Sequence, residues 1–487
     1  MNEQGAEPST EQPDTEQRWR EAMTAGSKSA QSGDLGGAMQ AFDSAVKIAP
    51  ERIEGWINLG SIMVETRQLA AAINVLNQAL ERAPDNWLIN MIMGDAQRLV
   101  GQRDRARECY EKAVDLSRAP PALNRLGGFL RHLGKRDEAE ALYEEAYSTD
   151  SNFSLARVNR ATLEIDKGNF DEAERRLREL PVDKLPPKEA QEVTSSLTAV
   201  SEYRRLHGLI DPLTEHSDLA PLEAALRDLP KSARVVDKNA LKTIAKYGKS
   251  MRELNPQSRP LDIELPDDWP LLEALHMVPY VHSLDDYLNY LANPPGNEGE
   301  YDIVLHQSTN MEAVVNACRR AKGTLDDPVT LETHIHHWHK LACNDVPGFM
   351  PGHFKYVRNL DHRSPTLPLV DPGATSGTFR VAAQNVYRAA KPGIESGVIA
   401  FLIILDLHLF GDGNGRVAMT WMNRELEWAG EMPILFTEEL GPKGMLGGAL
   451  SEVRKNGGDL TPMYEFIVTA QDHTREFCLE LAEKRKL

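Results

Sequence analysis

The sequence predicts a mostly α-helical protein, in which a helical repeat array precedes a second helical domain. Three observations support this fold class. Apolar residues recur three or four positions apart along much of the 487-residue chain, which is the spacing of one helix face. Small residues recur with a period of 33 or 34 residues in the first third. A polar, glycine-rich loop, His408 to Arg416, lies between two stretches with helical spacing.

The first 17 residues predict a disordered tail, because they are polar and acidic and include Pro8 and Pro13. They lack the basic start and the apolar centre of a signal peptide. We therefore expect a cytoplasmic protein, and delivery elsewhere as an effector is an open alternative.

Residues 18–182 contain the repeat. Its most regular position is a small residue, found at Ala38, Ala72, Ala106, Ala139 and Ala173. A large residue follows four positions later, at Phe42, Leu76, Tyr110, Tyr143 and Leu177. A glycine comes earlier in four units, at Gly26, Gly60, Gly94 and Gly127. This pattern resembles tetratricopeptide repeats, which are helix pairs with a period of 34 residues. The resemblance implies a superhelix with a concave groove that binds a protein partner or a second copy of the chain; a plain spacer is the alternative.

Residues 183–300 predict a helical connector. Apolar residues such as Val193, Leu197 and Val200 keep helical spacing there, but no cluster of catalytic residue types is present. Residues 301–487 then form the second domain, which contains the glycine-rich loop.

Composition argues against several classes of function. The net charge of −18 is unfavourable for nucleic-acid binding. The four cysteines have no CxxC spacing, which predicts a reducing compartment and no zinc ribbon. The longest apolar run, Val398 to Leu405, is far shorter than the ~20 residues that span a bilayer, so we expect no membrane partner.

The loop His408–Arg416 combines an imidazole, a carboxylate, an amide and a guanidinium with three glycines. Glycines let backbone N–H groups approach a ligand closely, and the N-terminus of the following helix favours anions.

Three other kinds of loop fit this sequence less well. A hairpin turn fits poorly, because both flanks are helical. An EF-hand loop counted from Asp412 would place Val417 where glycine is needed. A P-loop would need Lys-Ser or Lys-Thr after the last glycine. The loop therefore predicts a phosphate site.

The sequence HLFGDGNGR also resembles the signature of the Fic family, His-Pro-Phe-x-Asp/Glu-Gly-Asn-Gly-Arg-x-x-Arg. The resemblance implies a helical Fic domain that transfers AMP from ATP to a Ser, Thr or Tyr hydroxyl of a target protein, which the repeats would recruit. It assigns His408 as the base and Asp412 as the Mg²⁺ ligand. The residues expected to bind the phosphates are Gly413, Asn414, Gly415 and Arg416.

Two positions depart from the signature. Leu409 replaces the usual proline, and Met419 replaces the second arginine, which in the family contacts the γ-phosphate. Three alternatives stay open, and only the first of them follows from Met419. The donor could be UTP or an alcohol or sugar carried on a nucleoside diphosphate. The chain could instead remove the modification, or it could be a repeat-driven binding protein with weak or no catalysis.

Ser308 and Glu312 resemble the inhibitory motif of many Fic proteins, Ser/Thr-x-x-x-Glu-Gly/Asn, with Ala313 in place of the last residue. The resemblance implies that Glu312 inhibits the site. The plain alternative is an ordinary helix capped by Ser308 with a solvated Glu312.

The segment from Gly352 to Arg358 is short, begins with glycine and has an extended character. It resembles the Fic flap, a small β-hairpin that pairs with a target strand. The residues assigned to this flap are Gly352, Phe354 and Lys355, and an ordinary loop is the alternative.

Four histidines lie close together, at His334, His336, His337 and His339. No two are four apart, the usual spacing of zinc-binding pairs on a helix. We therefore expect His339 to pack structurally. A homodimer is a further open alternative.

Overall fold

The computed structural model describes residues 11–66, 68–100, 102–185, 187–228, 235–277, 283–292, 303–321, 325–344, 350–355, 370, 372–411, 413–437, 439–441 and 444–486. The chain forms two compact units, whose described parts lie before and after the boundary between Leu163 and Glu164. Within the described residues, the regular structure is helical, together with one isolated antiparallel bridge between Pro260 and Glu431. The predicted mostly α-helical fold class is therefore confirmed in its coarse form.

The first unit is built from successive helices that pack in pairs. In the described residues they are α1 (Glu11–Gln31), α2 (Leu35–Ile48), α3 (Ile53–Glu65), α4 (Leu69–Arg82), α5 (Trp87–Leu99), α6 (Arg103–Leu116), α7 (Pro120–His132), α8 (Arg136–Thr149) and α9 (Ser154–Asp166), the last of which crosses the boundary. The paired arrangement agrees with the predicted repeats.

The disordered tail predicted for residues 1–17 needs correction. Helix α1 begins at Glu11, and residues 1–10 lie outside the described residues. Tertiary contacts stabilise this helix: the Arg52 guanidinium lies 4.2 Å from the ring centre of Trp19, and it also pairs with Glu16.

The glycines of the repeat explain how close the helices of one pair lie. A Cβ atom added at any of four glycines would lie 2.5–2.7 Å from a large side chain of the next helix. The pairs are Gly26 with Phe42, Gly60 with Leu76, Gly94 with Tyr110 and Gly127 with Tyr143. The alanines of the repeat are fully buried. The small residues of the repeat therefore let the two helices of a pair approach closely.

The second unit contains the remaining helices. They are α10 (Phe170–Arg178), α11 (Pro187–Ile210), α12 (Ala220–Arg227), α13 (Lys238–Leu254), α14 (Trp269–Met277), α15 (Leu284–Ala292), α16 (Ile303–Arg320), α17 (Pro328–Ala342), α18 (Thr375–Ala382), α19 (Ile394–Leu407), α20 (Asn414–Trp428), α21 (Met445–Lys455) and α22 (Thr461–Lys484). Short 3-10 turns occur at Val182–Lys184 and Pro372–Ala374, and a π-helical turn follows α18 at Ala383–Tyr387.

The predicted domain boundaries at residues 182 and 300 differ from the observed division. Helix α10 of the last repeat and the helices of the predicted connector belong to the same compact unit as the glycine-rich loop. One hydrophobic core contains Ile244 and Tyr247 of α13 together with Phe401 of α19. The Tyr247 hydroxyl also donates a hydrogen bond to Asp406 Oδ2 at 2.5 Å. The connector is therefore part of the second unit, because its apolar face completes that core.

Helices α19 and α20 position the glycine-rich loop. Almost every residue of α19 is buried, which agrees with its apolar sequence. A Cβ atom on Gly397 would lie 3.2 Å from the carbonyl oxygen of Met422 on α20, so the two helices approach closely. The loop between them therefore has two fixed ends.

No helix in the described part of the chain is both long and apolar enough to cross a membrane.

Candidate functional site

His408 ends α19 in a left-handed backbone conformation. Its φ is 48° and its ψ is 64°, and its N–H donates to the Ile404 carbonyl at 3.1 Å. A Cβ atom disfavours this backbone conformation, and residues that adopt it despite the cost are often found at functional sites. His408 is partly exposed. The residue therefore lies at a less buried end of an otherwise buried helix.

Phe410 anchors the loop. Its side chain is fully buried, and its ring stacks on His339 with centroids 3.7 Å apart and planes 1° from parallel. Its N–H donates to Asn414 Oδ1 at 3.0 Å, and Asn414 Nδ2 donates to its carbonyl at 2.9 Å. Phe410 therefore points into the hydrophobic core of the second unit.

Position 413 has no room for a Cβ atom, so the loop needs a glycine there. Its φ is +74°, and a Cβ atom there would lie 2.6 Å from Cys343 Sγ and 3.1 Å from His339 Nε2. Gly411 and Gly415 differ, because a Cβ atom on either would have no neighbour within 4 Å. Gly415 is also partly exposed, so the described residues leave the space beside its Cα empty.

The first turn of α20 begins at Asn414, one residue after Gly413. The first N–H groups of a helix have no partner within the helix, and they favour an anion. Since the Asn414 side chain bonds to Phe410, a phosphate at this turn would be bound by backbone groups.

Arg416 lies on the first turn of α20, and its Nη1 donates to the Ala342 carbonyl at 3.0 Å. A guanidinium has five N–H donors, so this bond leaves others for a phosphate. Met419 is buried on the same helix. Arg424, farther along the same helix, binds the Ala321 carbonyl at 2.6 Å and Glu425 Oε1 at 2.5 Å.

Asp412, the predicted Mg²⁺ ligand, lies outside the described residues. Within the residues that are described, no group of three or more His, Cys, Asp or Glu side chains could hold a metal ion. The assignment of Mg²⁺ to Asp412 stays a prediction.

Ser308 and Glu312 both lie inside α16, which extends from Ile303 to Arg320. The alternative in which Ser308 caps this helix is therefore wrong, because the helix begins at least one turn earlier. Ser308 is buried and Glu312 is partly buried. Burial raises the pKa of Glu312, and the nearby carboxylate of Glu215 adds to the effect.

The residues assigned to the flap occupy a different place from the predicted one. Gly352, Phe354 and Lys355 are buried, and the described segment 350–355 contains no strand. The prediction that these three residues form a target-binding hairpin edge is therefore wrong, because they pack into the core. Residues 356–358 of the predicted hairpin lie outside the described residues.

This buried segment packs against His339 and Phe410, which anchor the glycine-rich loop. The N–H of Gly352 donates to His339 Nδ1 at 2.8 Å, so the other ring nitrogen of His339 faces Cys343 Sγ at 3.5 Å. The ring of Phe354 lies 5.3 Å from that of Phe410. The predicted structural packing of His339 is confirmed. Sequence patterns did not single out Cys343, although it lies one helical turn after His339.

A buried polar cluster lies beside the same segment. A cavity of about 20 Å³ is lined by residues that include Glu202, Tyr203, Glu332, His336 and His353. Glu332 is buried and accepts hydrogen bonds from Ser376 Oγ at 2.6 Å and from Arg380 Nε. Burial raises the pKa of Glu202 to about 7, and the Glu332 carboxylate adds to this shift. The cavity has room for about one water molecule.

Comparisons with known proteins concern the first unit and the start of the second. Residues 29–88 and 130–196 match one family model described as a tetratricopeptide repeat, and residues 93–152 match another. The N-terminal part of the chain therefore carries tetratricopeptide repeats, as predicted. These matches all lie within residues 29–196.

Solved structures of repeat proteins are similar to part of the chain. The MamA protein is 23% identical over 37% of this chain and 93% of its own, with a TM-score of 0.27. A thermophilic TPR protein of Thermus thermophilus is 19% identical over 38% and 99%, with a TM-score of 0.34. A tetratricopeptide repeat protein from Parabacteroides merdae is 21% identical over 40% and 77%, with a TM-score of 0.31. No curated protein matches the chain.

Proposed function

We propose that the chain is a Fic-type protein nucleotidyltransferase that transfers AMP from ATP to a Ser, Thr or Tyr hydroxyl of a target protein. One observation carries the proposal. The partly exposed imidazole of His408 and the open first turn of α20 flank one short loop, and the bonds between Asn414 and Phe410 hold that loop in shape. A base beside an anion site is the arrangement that this reaction requires.

In the proposed reaction, His408 accepts the proton of the target hydroxyl. The hydroxyl oxygen forms a bond to the α-phosphorus of ATP, and the bond from that phosphorus to the bridging oxygen of pyrophosphate breaks. Backbone N–H groups of the first turn of α20, at Asn414 and Gly415, donate to the α-phosphate oxygens. Arg416 binds the β-phosphate with the donors that do not bond to Ala342.

When bound at Asp412, Mg²⁺ would neutralise negative charge on the departing pyrophosphate. The chain itself contributes the base, the backbone donors and Arg416.

Position 419 bears on the identity of the donor. Met419 is buried and cannot bind a γ-phosphate, so this position supplies no cation for the end of ATP. UTP and diphosphate-linked alcohols or sugars are therefore tested beside ATP. Inhibition through Glu312 is a further part of the proposal, and replacing Glu312 by glycine tests it.

The repeats provide the proposed means of recruiting the target protein. Arrays of this kind commonly bind protein partners through their continuous surface. A second candidate function is partner binding by the repeats with weak or no catalysis. The observation that favours it is that the family matches lie within residues 29–196.

The test is the intact mass of the purified full chain after incubation with Mg²⁺ and one donor at a time. The donors are ATP, GTP, UTP, CTP and a nucleoside-diphosphate sugar. A mass gain of one nucleotide monophosphate that disappears in His408→Ala supports the proposal. His473→Ala is the matched control, because His473 is exposed on α22. A gain that survives His408→Ala would overturn the role of this residue, and no gain from any donor would favour the second candidate function.

A further inference from the structure

Lys355 binds the two carbonyl groups on either side of His408. Its Nζ donates to the Leu407 carbonyl at 3.2 Å, and its backbone N–H donates to the Leu409 carbonyl at 2.8 Å. Lys355, which lies 53 positions before His408 in the chain, therefore binds the backbone on both sides of this proposed base.

The position of the ammonium is electrostatically favourable. Leu407 is the last residue of α19, and the carbonyls at a helix C-terminus carry partial negative charge that attracts cations. Lys355 is buried, so water screens this attraction only weakly. The two bonds also fix the carbonyls on either side of His408, whose left-handed conformation is disfavoured by its Cβ atom.

The segment that carries Lys355 is itself held in place. The Gly352 carbonyl accepts a hydrogen bond from His336 Nδ1 at 2.5 Å, and its N–H bonds to His339. The Tyr203 hydroxyl donates to the Phe354 carbonyl. These contacts hold the backbone of the segment in place, and they therefore fix the position from which Lys355 binds the end of α19.

We propose that Lys355 is a positioning residue that sets the orientation of the His408 imidazole by binding the carbonyls of Leu407 and Leu409. The inference rests on the proposed function, because it assigns Lys355 to the support of the base in that reaction. It also gives Lys355 a role opposite to that of an exposed flap residue: the side chain acts from inside the protein and does not touch the target.

Lys340 provides a matched control. It is also buried in the second unit, but its Nζ bonds to Asn344 Oδ1 at 3.2 Å and lies 3.6 Å from Asp211 Oδ1. Neither partner belongs to α19 or to the glycine-rich loop. Replacing Lys340 by methionine therefore removes a buried ammonium without removing a bond to the carbonyls beside His408.

The test compares Lys355→Met, Lys355→Arg and Lys340→Met in the full chain. Selective ¹³C labelling of histidine gives ring signals in NMR spectra, and His408→Ala assigns the signal of His408. We expect Lys355→Met to shift or split that signal, Lys355→Arg to restore it and Lys340→Met to leave it in place. An unchanged His408 signal in Lys355→Met, or an equal change in Lys340→Met, would overturn the proposal.

Kinetics provide the second measurement. We expect Lys355→Met to lower kcat about tenfold or more, with KM for the donor changed less than about twofold, because the base is misplaced while the phosphate site stays intact. If the wild-type chain transfers nothing, the proposed function fails, and the NMR comparison still decides whether Lys355 orients His408.

A third measurement needs no variant. The ammonium protons of Lys355 should exchange with solvent more slowly than those of surface lysines in ¹⁵N-lysine spectra of the wild-type chain, because Nζ is buried and hydrogen-bonded. Finding no slowly exchanging ammonium apart from that of Lys340 would contradict the proposal, even if Lys355→Met does not fold.

Discussion

The side-chain amide of Asn414 forms two hydrogen bonds with the backbone of Phe410, one as acceptor at 3.0 Å and one as donor at 2.9 Å. Both residues are buried. The pair closes the loop after His408 and joins it to the first turn of α20. An asparagine is well suited to this position because its amide carries both an acceptor and a donor.

Replacing Asn414 by aspartate should loosen the loop. The carboxylate can still accept from the Phe410 N–H, but its second oxygen would face the Phe410 carbonyl, so a buried acceptor loses its donor. The expected cost is about 1–3 kcal/mol. Hydrogen exchange measured by mass spectrometry should show faster exchange in peptides that cover the loop and the start of α20. Unchanged exchange in those peptides would contradict the importance of this pair.

Two glycines of the loop should respond differently to alanine. Gly413→Ala places a Cβ atom 2.6 Å from Cys343 Sγ at a positive φ, so we expect it to destabilise the second unit by about 1–3 kcal/mol. Gly415→Ala meets open space and should change the free energy of unfolding by less than about 0.5 kcal/mol. Urea unfolding measures both changes. Equal effects would contradict the close packing of Gly413.

Introducing an arginine at position 419, where the Fic signature of the proposed function has one, should destabilise the protein. Met419 is buried, so Met419→Arg would bury a charge without a partner, at a cost of about 3 kcal/mol or more. Met419→Leu is the volume-conserving control, with an expected cost below about 1.5 kcal/mol. Thermal unfolding distinguishes the two variants. A stable Met419→Arg protein with improved ATP use would instead show that the side chain can reach solvent.

Glu202 should make stability depend on pH. Its pKa is about 7 in the folded chain, compared with a usual value of 4.5, because of burial beside Glu332. Between about pH 4.5 and pH 7, the folded state therefore retains a proton that the unfolded state loses. The free energy of unfolding falls progressively with rising pH over this range, and Glu202 causes no further loss above about pH 7. Glu202→Gln removes this dependence. The difference in Tm between the variant and the wild type should widen from pH 5 to pH 7, and parallel Tm curves would contradict the pKa shift.

Neighbouring glycines in α7 test the packing of the repeats. A Cβ atom on Gly127 would lie 2.7 Å from the Tyr143 ring, whereas one on Gly128 would lie 3.7 Å from the Tyr143 hydroxyl. Gly127→Ala should therefore cost about 1–3 kcal/mol through overpacking. Gly128→Ala should be neutral or stabilising, because alanine favours the helix by up to about 1 kcal/mol. Circular dichroism during thermal unfolding measures both, and a larger loss for Gly128→Ala would contradict the observed contact.

Much of the repeat array could be predicted from the sequence, because its signal is local and repeated. The small residues with a 34-residue period and the large side chains that follow them indicate helix pairs without any knowledge of distant contacts. The site was partly predictable for a similar reason. The helical spacing on both sides of His408–Arg416 indicated a loop between two helices.

Tertiary structure decided the features that depend on residues far apart in the sequence. Helix α13 joins the core of the second unit because Tyr247 meets Asp406, 159 positions later. The resemblance assigns Lys355 to a target-binding hairpin, yet its side chain is buried and its ammonium donates to the Leu407 carbonyl at the C-terminus of α19. Local patterns determine which segments become helices and turns, since those bonds are made within a few residues. Packing against distant apolar faces determines which side chains become buried, and therefore which residues support the site and which are left to bind a ligand.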